Sequence, residues 1–399
     1  MFAQVARHQG MNKGLTYGSL LVLLSCGLTS AIAQTWSLHG QASSWLTSHP
    51  EDSPLSQAGL RYIPELSIGT KPDSTFAADL DLSLNAYAVA GFARSQSPTY
   101  EEKLKPYRAW IRVSSNTFEV RAGLQKLSFG SATLFRPLMW FDKIDPRDPL
   151  QLTDGVYGLL LRYYFLDNAN VWLWGLYGNN DTKGWEIVPT NRKSAEFGGR
   201  IQTPLWDGEL GATYHHRDAD FTDLLGIPPL MLNTHVPENR FALDGKWDIG
   251  IGAWFEAALI HDQIDLSGLK YQRQWTLGAD YTFDIGNGLT ALTEYFSSDN
   301  PELPLASANG IRFSAVSLNY PLGLIDRISG ILYRDWSNHE WYRLITLQRT
   351  YDNWMIYLLG FWNPDNIRLY GTQASITSGQ AISSPFAGTG IQLMVVFNH

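Results

Sequence analysis

Apolar and polar side chains alternate with period two along most of this chain. From Ala78, one face carries Leu80, Leu82, Leu84, Ala86 and Ala88, and the other Asp79, Asp81, Ser83 and Asn85. Tyr107, Ala109, Ile111 and Val113 alternate with Arg108, Trp110, Arg112 and Ser114. Phe118, Val120, Ala122 and Leu124 alternate with Glu119, Arg121, Gly123 and Gln125, and Trp275, Leu277, Ala279, Tyr281 and Phe283 with polar or small neighbours. Successive side chains of a strand point to opposite faces, so each run predicts a strand with one greasy and one wet face. The runs are about ten residues long, which is what a tilted strand needs to cross hydrocarbon.

The connectors between runs are short, then long, then short again. Short ones include Ser115-Asn116, Asn168-Ala169, Trp206-Asp207-Gly208 and Tyr351-Asp352-Asn353, and long polar stretches lie near 94–105, 126–155, 179–194, 218–238, 298–310 and 363–388. A soluble sandwich has no reason to alternate loop lengths, whereas a membrane barrel has tight turns on its inner side and long loops outside. Lipid offers no partner to a backbone N–H or C=O, so such a sheet must close on itself. The expectation is an all-β, transmembrane, antiparallel up-and-down β-barrel of about eighteen strands, with short periplasmic turns and long extracellular loops. Sixteen strands is the alternative if the 327–350 hairpin is misread. The apolar row is expected to face lipid and the polar row the lumen. Trp36, Tyr62, Tyr107, Phe165, Trp206, Tyr281, Phe283, Tyr320 and Trp354 are expected to form the interfacial aromatic belts.

Composition narrows this further. Aromatic residues make up 13% and charged residues only 17%, which suits a wall wetted on one side. Residues 1–33 read as a cleaved secretory signal: Arg7 and Lys13, an apolar stretch from Leu15 to Leu28, and the small-x-small site Ala31-Ile32-Ala33. Leu23-Leu24-Ser25-Cys26 is a rival lipoprotein-type reading. Cys26 is the single cysteine, so a chain starting at Gln34 has no disulfide framework. It also keeps 28 basic against 38 acidic side chains, which argues against nucleic acid as a partner. Residues 34–399 are thus expected to form one barrel domain in the bacterial outer membrane. Its partners would be outer-membrane lipid and the barrel-assembly machinery, the latter reading the alternating Ile391, Leu393, Val395, Phe397 strand. Oligomeric state is left open.

Candidate chemistry concentrates around the connector 126–155. It carries Phe129, Phe135, Trp140 and Phe141, is stiffened by Pro137, Pro146 and Pro149, and is rich in aspartate. An outer loop so apolar is expected to fold into the lumen and narrow it, with Arg136, Trp140, Asp142, Asp145, Arg147 and Asp148 at the constriction. Asp142, Asp145, Asp148 and Asp154 would then stand opposite wall arginines. Arg108, Arg112, Glu119, Arg121, Arg162 and Arg200 are the expected pore-lining contacts. Arginine stays charged at any working pH and offers a planar fork to carboxylates and phosphates, and rings of such groups set pore selectivity.

Arg121-x-Gly123-x-Gln125-x-Leu127-x-Phe129-Gly130, a Trp/Phe-Asp-rich loop and then Gly155-Val156 opening a strand resemble the alginate-export type of outer-membrane barrel and its porin-like relatives. The motif spans about 121–165. The resemblance implies an eighteen-stranded barrel whose arginine-lined lumen passes an anionic polysaccharide, with Arg112 and Arg121 as solute contacts. A channel for small polar or anionic solutes, including saccharides, is the expected function. Alternatives are an outer-membrane hydrolase acting on lipid or lipopolysaccharide, and a structural or adhesive barrel. No Gly-x-Ser-x-Gly elbow, P-loop or dinucleotide fingerprint occurs. No catalytic residue, metal site or cofactor is therefore expected. His215-His216-Arg217-Asp218-x-Asp220 is read as the start of a long loop whose adjacent histidines do not easily share an ion.

Overall fold

The structure, a computed structural model, describes residues 34–50, 56–70, 75–92, 97–222, 235–263, 270–364 and 386–399. The expected signal at 1–33, with Cys26, lies outside the described residues, as do parts of several long connectors.

Eighteen antiparallel strands follow one another in chain order. They are β1 (Gln34–Ser48), β2 (Ser56–Thr70), β3 (Ala77–Phe92), β4 (Thr99–Ser114), β5 (Phe118–Gln125), β6 (Val156–Tyr164), β7 (Asn170–Tyr177), β8 (Ala195–Leu205) and β9 (Gly208–Asp220). They continue as β10 (His235–Asp248), β11 (Gly252–Asp262), β12 (Tyr271–Phe283), β13 (Leu289–Asp299), β14 (Gly310–Pro321), β15 (Asp326–Asp335), β16 (Glu340–Thr350), β17 (Trp354–Trp362) and β18 (Thr389–Asn398). Each strand pairs with its sequence neighbours, and β1 pairs with β18 (Ser44 opposite Val395, Gln41 opposite Asn398), so the sheet is a closed cylinder without an edge. The 327–350 segment is the β15–β16 hairpin, so the count is eighteen. Leu60, Leu173, Leu277 and Leu318 point outward and are exposed, as a wall solvated by hydrocarbon requires.

The wall departs from the sequence expectation in two places. β4 starts at Thr99, inside what reads as a polar loop, and pairs with β3 up to Gly91. A bulge at Ser83/Leu84 absorbs one extra residue beside Pro106, which breaks the period-two pattern that would reveal the longer strand. Tyr107 sits at this bulge with its ring against Arg108 (4.0 Å), so it does not join an interfacial belt. The belt is clear at Trp36, Phe165, Trp206, Tyr281 and Trp354, all exposed at the turn end.

The second departure is larger. The inner face is wet only in part. From β13 to β18 the inward row is Phe296, Phe313, Ala315, Tyr333, Tyr342, Leu344, Leu359, Phe361 and Val396, all buried, and together with Leu134, Phe135 and Met139 it forms one apolar cluster inside the barrel. These strands are apolar on both faces because lipid covers one and a loop covers the other.

Candidate functional site

The inward row of β4–β6 is the charged face. Arg112 donates two hydrogen bonds to Asp79 Oδ2 (2.7 and 2.9 Å) and lies 4.0 Å from Glu119. Glu119 is shared: Arg121 approaches it to 2.9 Å and Arg162 to 3.7 Å. Trp110 and Trp172 complete the group. The Arg121 guanidinium lies 4.7 Å from the Trp110 ring and that of Arg162 3.7 Å from Trp172, within cation–π range. Three guanidiniums around Glu119 and Asp79 leave one positive charge in excess, and the adjoining strands β2 and β3 add the carboxylates of Glu65 and Asp81. Arg121 Nε, Arg162 Nε and Trp172 Nε1 are buried donors with no acceptor among the described residues. Arg108 stands one turn of the pleat away, donating to the carbonyls of Tyr107 and Thr153.

The loop between β5 and β6 enters the barrel and is held there chiefly through its own backbone. Glu294 on β13 accepts the N–H groups of Thr133 (2.7 Å), Leu134 (2.9 Å) and Phe135 (2.6 Å), and also Trp254 Nε1–H (2.9 Å). Glu256 on β11 accepts from Ala132 (2.7 Å) and Leu138 (3.1 Å). Thr276 Oγ1 donates to the Phe135 carbonyl (2.8 Å), and Ser131 Oγ to Asp244 Oδ2 (3.3 Å). Backbone must approach Glu256 closely at Gly130, which has φ +102° and has no room for a Cβ beside that carboxylate. The loop's apolar side chains fill the space behind. Phe135 stacks on Phe296 (5.5 Å) and meets Tyr333 edge-on (5.5 Å), while Phe129 packs against Trp140, Phe141 and Trp174.

Two of the loop aspartates sense wall arginines, Asp148 sensing Arg61 and Asp154 sensing Arg108, but the close partners of all four lie elsewhere. Asp142 pairs with Arg136 and Asp145 with Arg147, both within the loop, and Asp148 accepts the Leu150 N–H. Only Asp154 reaches the wall, at Lys105 Nζ (2.6 Å). The local pairs win because two or six residues of loop bring the partners together without ordering anything else. Besides the Asp154–Lys105 bridge, the close polar contacts between loop and wall run chiefly from wall carboxylates to loop N–H groups. Burial pushes the Asp148 carboxyl above its ordinary value and the Lys143 ammonium below its own. Burial also acts to raise Asp154, but Lys105 outweighs it and leaves that carboxyl below the ordinary value.

Arg200 points inward but is sealed beneath Phe129 (5.3 Å) and pinned to Asp244 (2.5 and 2.9 Å), so it meets no solute. Trp140, Asp142 and Arg147 are each no more than 3% exposed; they form the interior of the loop and not its open side.

A second loop, between β7 and β8, also folds inward, which the sequence reading did not single out. Trp185 stacks on Phe296 (4.6 Å) and donates to the Arg136 carbonyl (3.1 Å). Glu186 reaches Arg240 (2.6 Å) and Arg217 (3.1 Å), which also share Glu238 (both 2.6 Å), in a buried four-residue ion cluster. The stretch from His215 to Asp220 is thus strand, with Arg217 and His215 inward. His215 Nδ1 accepts from Trp174 Nε1–H (3.2 Å) and its Nε2 faces Glu196 (3.3 Å); among the described residues no serine hydroxyl contacts it. A space of about 430 Å³ lies between the loops and the β1–β4 wall, bordered by Arg61, Tyr87, Lys105, Lys143, Asp148 and Asp154. Arg61 lies between the rings of Trp45 (5.4 Å) and Tyr87 (5.3 Å).

The chain is a closed eighteen-stranded antiparallel β-barrel with an apolar outer wall and inward-folded loops, which is the fold of porin-like outer-membrane barrels. No protein-family model matches the chain, and no curated protein sequence does. Solved structures share the fold. OccAB2 of Acinetobacter baumannii superposes with a TM-score of 0.56 at 8% identity, over 92% of this chain and 98% of that one. OccD3 (OpdP) of Pseudomonas aeruginosa gives 0.55 at 11%, over 91% of each, and OccAB4 of Acinetobacter baumannii 0.55 at 9%, over 92% and 98%. At these identities the likeness is one of fold.

Proposed function

We propose that the protein is an outer-membrane channel through which small polar or anionic solutes pass along the β2–β6 side of the lumen. The observation that carries this is the one-sided filling of the barrel. The loops pack against the β7–β18 wall, and a space of about 430 Å³ lies against β1–β4, bordered by Tyr107 and Thr153, whose carbonyls accept from Arg108. Arg112, Arg121 and Arg162 each keep part of the side chain accessible and favour solutes rich in oxygen acceptors, and the neighbouring Trp110 and Trp172 offer flat apolar faces. The 126–155 loop is the constriction in this reading. An anionic saccharide is the finer candidate, supported by the likeness of 121–165 to alginate-export-type barrels.

The test is single-channel recording in planar bilayers under a salt gradient. Arg112→Ala with Arg121→Ala removes two positive charges, so the reversal potential should move toward cation selectivity. An unchanged potential would remove these residues from the solute path, and absence of any conductance step from the folded protein would remove the channel.

A further inference from the structure

Two loops cross inside the barrel, and each presents a lysine at the crossing. Gly184 N–H donates to the Asp142 carbonyl (3.0 Å), so Lys183 of the β7–β8 loop and Lys143 of the β5–β6 loop flank one backbone bond. Gly184 has φ +41°, and a Cβ there would run into the Met139 carbonyl, so the two backbones cross in close contact. Both lysines are fixed at the main chain: Lys143 N–H donates to Thr153 Oγ1 (2.9 Å) and Lys183 N–H to Glu186 Oε2 (2.7 Å). Neither ammonium has a hydrogen bond or ion pair among the described residues. Lys183 is only 8% exposed, and both lysines border the space of about 430 Å³.

Most carboxylates around this space are already engaged. Lys105 holds Asp154 (2.6 Å), Arg147 holds Asp145 (2.7 Å), Glu101 accepts from Tyr87 Oη–H (3.2 Å) and Asp148 from the Leu150 N–H (2.9 Å). Glu186 and Asp181 also act on Lys143, but Glu186 is held by Arg217 and Arg240, and Asp181 is exposed. Desolvation in the enclosed lumen, and after it the Lys183 charge, outweigh both and hold the Lys143 ammonium below its ordinary value. On the wall, Arg61 lies between the Trp45 and Tyr87 rings and likewise has no hydrogen bond or ion pair among the described residues. Three cations without an ion-pair partner therefore border one space, two from the loops and one from the wall.

We infer that Lys143 and Lys183, with Arg61 on the wall side, bind the phosphate group of a small phosphate monoester. Lysine is a point charge on a flexible stem, with three donors and no planar fork. Two such stems from separate loops can close on oxygens that do not share a plane. A phosphate monoester offers three acceptor oxygens and nearly two negative charges at neutral pH, which matches the pair. A carboxylate is planar, carries one charge and is the better partner for a guanidinium fork. The space is of the size that holds a small ligand. Because each lysine belongs to a different loop, a bound phosphate ties the two loops together. The site rests on the loop crossing and not on conduction; where the channel reading also holds, it names the class of anion drawn in.

The folded protein in mild detergent tests this, with glucose 6-phosphate and glucuronate as probes at equal ionic strength. Lys143 is exposed, so its acetylation rate can be followed by peptide mass spectrometry. Glucose 6-phosphate should slow that rate about tenfold at ten times its half-saturating concentration, as single-site occupancy requires. It should also raise the midpoint of the heat-modifiable gel transition, and glucuronate should do neither. Lys143→Gln with Lys183→Gln should lose the midpoint shift. Arg192→Gln with Lys193→Gln, which removes two exposed charges from the same β7–β8 loop, should keep it. If the lysine variant does not fold, protection of Lys143 in the parent still decides. Unslowed acetylation in glucose 6-phosphate, equal protection by glucuronate, or a shift that survives in the folded lysine variant would each overturn the assignment. Protein that shows this protection but no conductance step would lose the channel and keep the phosphate site.

Discussion

Arg112 and Arg121 were legible as inward residues because 107–114 of β4 and the whole of β5 alternate cleanly and the face opposite them is apolar. Glu256 and Glu294 were not. Each is a lone glutamate in an alternating strand, where it reads as one more wetted lumen residue. What it binds is backbone N–H more than a hundred residues away, and backbone N–H has no sequence signature. Glu294→Ala strands up to three loop N–H groups in a buried site, at about 1–3 kcal/mol each. The melting temperature should fall and the channel current should become noisier and larger; a silent Glu294→Ala would mean the loop is held by packing alone. Asp148 offers a test in pH. Its carboxyl is raised by burial, so the cost of ionising it in the folded state is absent below its ordinary value, sets in as pH rises through the folded value, and is complete above it. Asp148→Asn keeps an acceptor for Leu150 and should stabilise the protein at neutral pH but not in acid, by melting temperature at the two pH values. Asp154 has the opposite sign: the stabilisation from Lys105 is present at neutral pH and fades as pH falls through its depressed value. Both partners are partly exposed, so the effect should be small.

At the level of elements, strand count and turn side were readable because loop length and period two are local properties. The 327–350 hairpin was the segment left open, and the structure supplies a reason: Tyr333, Tyr342 and Leu344 make its inner face greasy as well as its outer one. The aromatic excess of 126–155 was the visible half of that contact, and the inward row it meets was the invisible half. Loops that look alike in sequence differ sharply in role. Replacing 128–153 by a short Gly/Ser linker uncovers Phe296, Phe313 and Phe361 and should cut the heat-modifiable folded fraction severely, since loss of one buried Phe alone costs about 3–5 kcal/mol. The same replacement at 300–309, which lies outside the wall, should leave that fraction unchanged. If both replacements fold equally well, the lumenal cluster contributes little to stability.

For the molecule as a whole, closure is the proposition that everything else needs, and it is accessible to cysteine chemistry because the single native cysteine lies at 26. Ser44 and Val395 face each other outward across the β1–β18 seam. Opposed strand residues lie within disulfide range. Ser44→Cys with Val395→Cys should cross-link within one chain in the folded protein, by mobility on a non-reducing gel, and a failure to do so would open the cylinder. The apolar strip inside β13–β18 bears on how that cylinder comes to exist. A strip greasy toward both lipid and lumen has no comfortable resting place until the β5–β6 loop is beneath it, so the earlier part of the chain serves as a mandrel on which the later part is wound. Recombination between relatives is then constrained in a specific way: a crossover that imports new strands β13–β18 without the matching 126–155 insert should yield chains that stall before the last ribbon meets the first.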